Sequence, residues 1–560
     1  MSLPFASRLA SKYAPTDEEL VTLKLLAAQG DSLLAELDQK IRFLLQQRDE
    51  HLQSIDAHKA LLAPIRRVPD DILLLIFEDC LPPERNCILC STEAPILLTH
   101  VCASWRTLAL GMPSLWATLH IVEPLSFRSR VTPSPFPYDP IPRSILSAQV
   151  TLRLEAVRTW LRRTGATQLL SISLDGESSA RSAAEPIAFT PQFFDAILPY
   201  ARRWRDVHFA FWPDPAVTAM LAALIPADLP NLRRLSFENN CVQSRAAALA
   251  TFTGMFSAFL GAKQLSSVRV RNIRAPIDDP NALRWEQLTE LSISDSAHQL
   301  TDENVLELLR RCKLVQRCRL GPIRPRNLND PPLPSALAAL VDCPELISLH
   351  LETSTLVPLE SISCPGLAHL ALGPPRYPRG IISHLVVAGT AQFEKFLAHP
   401  GPAGIPLTHF SLEGHIREAA LRALIFLLPH SLRSLVISDS TSRDSHEFAL
   451  TDKLLSSIGE GTQPMSFRNL HPSVPLPNLE ILELYRCCVL SFKAIGNLLS
   501  VRRTLRRARF GYQRYAETPT EMDWRECFRM FVDAGMDLEV SFVPLPALAP
   551  NRGILLDSEF

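Results

Sequence analysis

The first long pattern of apolar and polar residues runs from about Asp17 to Leu62 and is helical. This stretch has no proline and one glycine, Gly30. Its apolar stripe advances in alternating steps of three and four through Leu34, Leu37, Ile41 and Leu44, and the same steps then reach Arg48, His51, Ile55 and His58. The spacing predicts a long helix over 17–62. That helix either packs on its own domain or pairs two copies as a short coiled coil.

From about Val150 onward the chain repeats one short pattern. The strict form, Pro-x-Leu-x-x-Leu-x-(Leu/Phe), occurs at Pro230–Phe237, Pro344–Leu351, Pro365–Leu372 and Pro477–Leu484. Looser copies with the same offsets start at Leu265, Leu288, Leu407 and Leu432. Apolar residues at these offsets lie on one face of a strand, and a single strand cannot bury that face alone. The pattern therefore predicts strands that stack into a leucine-rich-repeat solenoid with a parallel sheet.

The segments between the repeats predict helices, as at Asp302–Arg311 and 418–428. The first leucines of successive copies lie 21 to 58 residues apart, which is less even than a regular leucine-rich repeat. We place this irregular repeat domain at 118–545, with a proline-rich excursion at 124–142 and a tail at 546–560. The predicted fold class is α/β. An N-terminal helix and an all-helical block precede the repeat domain with its parallel sheet.

Composition and charge narrow the classes of protein that fit these patterns. The chain has 560 residues, of which 47% are hydrophobic, and it balances 57 basic against 58 acidic side chains. A net charge of −1 provides no basic field, so we expect no nucleic-acid partner. About 90 leucines and 46 prolines against only 20 glycines favour a leucine repeat over a phosphate-binding nucleotide fold.

The cysteine content and the apolar runs bear on the compartment. Twelve cysteines in a chain of this length are ordinary for a reducing compartment. The longest apolar runs, such as 72–77 and 423–428, have only about six residues, too few to span a bilayer, and the first twenty residues lack an apolar signal core. We therefore expect an intracellular protein of the cytoplasm or nucleus that does not engage a membrane.

The block at 63–117 carries the most specific motifs. Val68 and Pro69 precede a predicted helix that starts with two aspartates and is apolar nearly all round. Acidic side chains at a helix start complement the free N–H groups and the helix dipole. A helix that is apolar on all sides needs burial on two of them, its own domain on one side and a partner on the other. After an insertion the block continues with Val101-Cys102 and Trp105-Arg106, and it ends at Pro113–Trp116.

This block resembles an F-box, the helical module that docks onto the Skp-type adaptor of cullin–RING ubiquitin ligases. The segments HKALLAPIRRVPDDIL and HVCASWRTLALGMPSLWATL are similar to a large family of F-box proteins from mushrooms, and later phrases such as 157–165 and 202–207 agree with it. The resemblance implies an adaptor-binding set made of Val68, Pro69, Ile72, Leu75, Ile76, Leu81, Val101 and Trp105. Without the resemblance, the pattern favours all eight residues as domain core.

Two cysteines in the insertion of this block raise the question of a metal. Cys87-x-x-Cys90 followed by His100-x-Cys102 has the residue types of a zinc site. However, Cys102 belongs to the F-box-like motif at the start of a predicted helix, so we expect free thiols instead. We expect neither a metal nor a cofactor.

The sequence contains one short motif that is typical of an enzyme. Gly30-Asp31-Ser32-Leu33 is the tetrapeptide of GDSL-type serine hydrolases, with Asp295 and His298 as candidate partners. Serine chemistry of this kind needs a strand-to-helix turn and an oxyanion hole, whereas the tetrapeptide lies in a helix-forming stretch. We therefore expect no enzyme and keep the hydrolase as a remote alternative.

The resulting hypothesis is a substrate-recognition subunit of an SCF-type ubiquitin ligase. Its F-box would dock on the Skp-type adaptor and cullin complex, and its repeats would bind a target protein of unknown identity. The alternative is a leucine-rich-repeat scaffold without a ligase role. The outward strand positions that would face a target are Arg234, Glu238, Arg269, Arg271, Glu290, His350, Glu352, Glu483 and Tyr485; they could equally be a solvated sheet face.

Overall fold

The computed structural model describes residues 13–124, 143–176, 190–211, 215–239, 257–272, 284–294, 300–324, 340–353, 356–374, 386–387, 390–399, 404–439, 450–460, 475–487, 489–512 and 524–541. The proline-rich excursion, from residue 125 onward, and the tail lie outside these residues. By its internal contacts the chain divides into two units, Met1–Ile76 and Phe77–Phe560.

The first unit is dominated by helix α1, Asp17–Leu62, which confirms the predicted N-terminal helix. Glu19 stabilises the helix start, because its Oε2 accepts the N–H of Thr16 at 2.9 Å. A short 3₁₀ turn, Pro64–Arg67, follows the end of α1. Helix α2, Asp70–Asp79, then begins where the sequence predicts, with two aspartates in its first turn, and the division between the units falls within it.

The second unit begins with short helices: α3, Leu98–Val101, and α4, Ala103–Gly111, followed by a 3₁₀ turn at Pro113–Trp116. Trp116 fixes this turn, since its Nε1 donates to the carbonyl of Ala109 at 2.8 Å. Trp160 in turn donates its Nε1 to the carbonyl of Trp116 at 2.8 Å, and the two rings meet edge-on at 4.8 Å. Both tryptophans are buried, so this pair joins the helical segment to the repeats.

Strands and helices alternate through the rest of the second unit. The strands are β1 Thr118–Val122, β2 Leu170–Asp175, β3 Trp204–Phe211, β4 Arg234–Asn239, β5 Ser267–Arg271, β6 Glu290–Ser294, β7 Arg317–Ile323, β8 Val341–Asp342, β9 Ser348–Thr353, β10 Ile362–Ser363, β11 His369–Gly373, β12 Val386–Val387, β13 His409–Ile416, β14 Ser434–Asp439, β15 Ile481–Cys487, β16 Arg507–Tyr512 and β17 Asp537–Ser541. The helices are α5 Arg143–Arg163, α6 Thr190–Ile197, α7 Pro215–Ala222, α8 Asp302–Arg311, α9 Ala391–Ala398, α10 Glu418–Leu427, α11 Asp452–Glu460, α12 Phe492–Val501, α13 Trp524–Cys527 and α14 Arg529–Asp533.

The strands form one long parallel sheet in chain order, which confirms the predicted sheet. Each strand pairs with the next from β1 to β17, except that β12 pairs only with β13 and that β8 and β10 form a separate two-stranded sheet. The register aligns five positions per strand into rows that cross the sheet; in β4 these are Arg234 to Glu238. The second and fourth rows are almost entirely apolar and buried.

The repeat motif explains these rows. In the copy at Pro230–Phe237, Leu232 is buried just before β4, Leu235 takes the second row and Phe237 the fourth. Helices pack on this apolar face, as Phe194 of α6 shows with its ring 5.0 Å from that of Phe209. The first apolar residue of the motif is therefore buried just before the strand. The second and third belong to the strand and lie on the apolar face of the sheet.

One buried arginine joins consecutive repeats near the C-terminal end of the sheet. The guanidinium of Arg502 donates to the carbonyls of Ile458, at 2.9 Å from Nε, and of Leu476, at 3.0 Å from Nη1, and also to that of Pro475. Arg502 is 4% exposed, and burial lowers its pKa. These carbonyls end a helix and begin the next repeat, so the guanidinium satisfies acceptors that would otherwise be buried without donors.

We predict that Arg502→Met destabilises the second unit by about 3 kcal/mol, because it leaves several buried carbonyls without a donor. The measurement is the urea midpoint of the purified chain. Arg503→Met is the matched control, since Arg503 is exposed and adjacent in sequence. Equal midpoints for the two variants would contradict the role given to Arg502.

Candidate interaction surfaces

The first, third and fifth rows form the face of the sheet opposite the leucines, which we call the polar face. The structure places all nine predicted target-facing residues on it. Arg234 and Glu290 lie in the first row, Arg269, His350 and Glu483 in the third, and Glu238, Arg271, Glu352 and Tyr485 in the fifth. Whether they contact a target stays a prediction.

Ion pairs connect many charges of the polar face, all of them between adjacent strands except Arg486–Glu413, which reaches from β15 across β14 to β13. The pairs are Arg271–Glu238 at 3.6 Å, Arg319–Glu352 at 3.0 Å, Arg486–Glu413 at 3.5 Å, Arg509–Glu483 at 3.9 Å, Arg509–Glu539 at 3.4 Å, Arg507–Asp537 at 2.7 Å, and Arg317–Glu290. Exposed pairs of this kind add little stability individually. Their effect is to hold long side chains in a fixed order on a surface of mixed charge.

Two of the predicted target-facing carboxylates are less accessible than an outward strand position suggests. Glu290 is 9% exposed and Glu352 is 5% exposed. Arg317 pairs with Glu290 and Arg319 with Glu352, so each carboxylate lies against a guanidinium from the neighbouring strand. Alternation along a strand places both carboxylates on the polar face, but it says nothing about the side chains of neighbouring strands that cover them.

Glycines in the fifth row make room for the side chains beside them. A Cβ on Gly321 would collide with Cβ of Glu352 and lie 3.0 Å from its Cγ and 3.1 Å from its Cα. At Gly511, the Cδ1 atom of Tyr485 would lie 2.9 Å from an added Cβ. Glu352 and Tyr485 thus lean across the neighbouring strand, which only glycine permits at this distance.

Tyr485 is held in place by hydrogen bonding as well. Its hydroxyl donates to Oε2 of Glu483 at 2.8 Å. Burial, the hydrogen bond to Glu483 and the charge of Glu483 together raise the pKa of Tyr485 to about 12. The phenol therefore stays protonated at neutral pH and can donate to only one acceptor at a time.

The N-terminal end of the polar face is covered. The imidazole Nδ1 of His120 lies 2.8 Å from Oγ of Ser173, and Asn86 donates its Nδ2 to the same Oγ at 3.0 Å. His120 also donates its backbone N–H to the carbonyl of Cys87 at 2.7 Å, in a parallel bridge between Ile88 and His120. The insertion of the F-box-like block thus shields β1 and β2, a role that sequence reasoning missed because nothing local to Asn86 signals it.

His208, in the third row of the polar face, is buried. Nδ1 of His208 is 2.7 Å from Oγ of Ser236, while Nε2 is buried without a hydrogen-bond partner among the described residues. Burial, with smaller contributions from the charges of His120 and Arg269, lowers the pKa of His208 to about 3. Farther along the first row, His369 and His409 stack at 4.2 Å, and burial lowers the pKa of each.

The predicted adaptor-binding residues of the first unit lie on or just before α2. Ile72, Leu75 and Ile76 are 43%, 58% and 36% exposed, although all three are aliphatic. Pro69 is exposed, and Val68 is half-buried. The neighbouring Leu73 is buried, so α2 has a buried side and an apolar exposed side, as its sequence predicts.

The predicted adaptor-binding residues of the second unit differ in exposure. Val101 is exposed, whereas Leu81 and Trp105 are half-buried. The ring of Trp105 packs on that of the buried Phe77 at a centroid distance of 4.8 Å. Trp105 is thus in part a structural residue of this unit.

The cysteines weighed as zinc ligands have other contacts. Oγ1 of Thr118 donates to Sγ of Cys87 at 3.2 Å, and burial raises the pKa of that thiol. Sγ of Cys102 accepts the N–H of Trp105 at 3.5 Å at the start of α4. Within the described part of the chain, no group of three or more His, Cys, Asp or Glu side chains could hold a metal ion.

The candidate hydrolase serine is in the interior of α1. Ser32 is an exposed residue of a continuous helix, not of the turn that serine chemistry needs. Asp295 and His298, its candidate partners, lie outside the described residues. Across the same described residues, none of the helices combines the length and apolar character needed to cross a bilayer.

We predict that Gly321→Ala lowers stability by about 1–3 kcal/mol, because the added methyl group collides with Glu352. Gly373→Ala is the control, since it lies in the same row but its Cβ would be 3.9 Å from the nearest atom, Cβ of Glu413. Thermal unfolding of both variants checks this. A loss in Gly373→Ala as large as that in Gly321→Ala would contradict it.

We predict that His208 makes the fold acid-sensitive. Between about pH 6.5 and 3 the unfolded chain binds a proton at this residue that the folded chain does not, so stability falls as the pH falls through this window. His208→Gln removes this dependence and should flatten the profile of unfolding free energy from about pH 7.5 to about pH 4. Parallel profiles for wild type and variant, whatever their offset at neutral pH, would show that His208 has no such effect.

No family model matches the chain, and no curated protein matches it. Among solved structures, an LRR protein of Leptospira interrogans is similar at 12% identity and a TM-score of 0.28, covering 68% of this chain and 91% of that one. A crystal structure of a Bacteroides fragilis protein is similar at 10% identity and a TM-score of 0.28, covering 60% and 74% of the two chains. The second unit is of the leucine-rich-repeat type by its own parallel sheet and buried leucine rows.

Proposed function

We propose that this protein is the substrate receptor of a cullin–RING ubiquitin ligase. In this proposal α2 docks on a Skp-type adaptor and the polar face of the sheet binds a target protein. The chain performs no chemistry itself. It raises the local concentration of target lysines beside a ubiquitin-loaded enzyme, which is catalysis by proximity.

The observation that carries this proposal is the exposed apolar side of α2. Ile72, Leu75 and Ile76 expose aliphatic surface on successive turns of one helix. A solvent-facing helix side normally carries polar residues, and an apolar one marks a site that a partner covers. Helix-in-groove recognition uses anchors with this i, i+3, i+4 spacing.

The resemblance of 63–117 to an F-box indicates which kind of partner would cover α2. Val68 and Pro69 precede α2 as in the F-box motif, and α2 begins at Asp70. The exposed Val101 follows the same motif. The F-box resemblance implies that these residues bind a Skp-type adaptor. Such docking requires exposed aliphatic side chains, which α2 has.

The polar face supports the target-binding half of the proposal. Its arginines and glutamates are paired across strands, and Tyr485 contributes an amphipathic ring with a fixed hydroxyl. Pre-ordered charged and aromatic side chains lose little conformational entropy on binding. A face of mixed charge fits a protein target with a complementary mixture, and it does not favour a polyanion.

A second candidate function is an interaction scaffold that binds no adaptor. Trp105 packs on Phe77, the Trp116–Trp160 pair joins this segment to the repeats, and Asn86 covers part of the sheet. Each contact is one that a structural cap of a repeat array would make. On this alternative the F-box-like motif of the second unit closes the array, and only the polar face binds partners.

We predict that the wild-type chain retains a purified Skp-type adaptor in a pull-down and that Leu75→Asp/Ile76→Asp weakens retention at least about tenfold. A charge on each exposed position opposes burial in an apolar groove. The control is Val21→Asp/Leu25→Asp, which places the same two charges at exposed positions of α1.

Circular dichroism of all three proteins should first establish that each is folded. Failure of the wild type to retain the adaptor would overturn the receptor proposal and favour the scaffold. Full retention by the α2 variant would show that α2 is not the docking surface. Loss in the α1 variant alone would place the adaptor on the other helix.

A further inference from the structure

Helix α1 presents a mostly apolar seam that the adaptor proposal leaves without a role. Steps of three and four residues from Leu20 to Leu62 pass through thirteen positions, of which nine are apolar. The interruptions are Gly30, Arg48, His51 and His58. A seam of this spacing along a 46-residue helix, about 69 Å long, is the pattern of a coiled-coil helix.

The seam is exposed along the helix. Apart from the half-buried Leu23, its larger aliphatic residues, among them Leu34, Leu44 and Leu62, are 39% to 74% exposed. Most side chains of this stripe are therefore uncovered, and the seam is available to a partner helix. A partner helix has to fit this long stripe, whose polar interruptions, Arg48, His51 and His58, lie in the C-terminal half of α1.

A second copy of α1 running antiparallel matches those interruptions. If Leu34 faces Leu44 of the second copy and Leu37 faces Ile41, the same register sets Arg48 against Gly30, His51 against Ala27 and His58 against Leu20. Arg48 and His51 then meet the small residues Gly30 and Ala27, which leave room for the larger side chains, and His58 meets Leu20. In a parallel pair, Arg48, His51 and His58 would each face their own copies, and the two Arg48 charges would repel at the seam.

Charge at the helix ends favours the same direction. The first turn of α1 carries Asp17, Glu18 and Glu19, and the last turn carries Lys59. An antiparallel pair places the acidic start of one helix beside the basic end of the other, and it also opposes the two helix dipoles. A parallel pair would put the three acidic residues beside their copies.

We propose that α1 joins two copies of this chain as an antiparallel coiled coil. The interface is the seam from Leu20 to Leu62, centred near Gln39. It does not depend on the ligase proposal, because none of its residues belongs to α2 or to the polar face.

The first experiment measures the mass of the full chain in solution by light scattering at micromolar concentration. The wild type should be a dimer, and Leu37→Asp/Ile41→Asp should raise the dissociation constant more than about 100-fold, to a monomer. The matched control, Val21→Asp/Phe43→Asp, changes two exposed apolar residues outside the seam and should remain a dimer. A monomeric wild type, or a seam variant that stays dimeric, would overturn the proposal.

The second experiment tests the direction of pairing. Helix α1 contains no cysteine, so engineered thiols can be located by peptide mass mapping. Ala27→Cys/His51→Cys should form a disulfide between position 27 of one chain and position 51 of the other under mild oxidation, and Ala27→Cys alone should not crosslink at position 27. A disulfide that joins the two copies of position 27 in the single variant would establish parallel pairing and refute the antiparallel register.

Discussion

The shared register of the parallel strands is the constraint on which the rest of the second unit depends. No strand of five or six residues can bury its apolar face alone, so each leucine is buried only because its neighbours in the row are present. The same register brings side chains of one row close enough to pair across strands, as Arg507 and Asp537 do in the first row at 2.7 Å. Burial of the leucines thereby also determines which charges meet on the opposite face.

The two buried rows were predictable because they depend on short offsets. In Pro230–Phe237 the motif itself states which residues are buried, and the structure has Leu232, Leu235 and Phe237 all at 2% exposure or less. The helix starts were predictable for the same reason, since Asp70 and Asp302 carry local signals. Local sequence determines these features, so one chain is enough to find them.

The contacts of the polar face were not predictable in this way. Glu352 is covered because Arg319 lies one strand earlier and because Gly321 has no side chain, and the lengths of the connections decide which residues become such neighbours. The aromatic residues show the same limit. Trp105 has the size and position of an interface anchor, yet only its distance to Phe77 shows that part of its ring is core. Exposure of Ile72, Leu75 and Ile76, in contrast, followed from a helix that is apolar on more sides than one domain covers.

Dimerisation through α1 would change what the polar face can do without altering any residue on it. A dimer carries two copies of α2 and two polar faces, so a target with two binding segments would meet its second site at a raised effective concentration. Such a gain needs no tighter contact at either face, which suits a surface whose charges already pair with one another. Weak individual sites combined by avidity also release targets readily once one segment has been altered. The seam of α1 would then act on target affinity from outside the binding surface, through the number of sites per assembly.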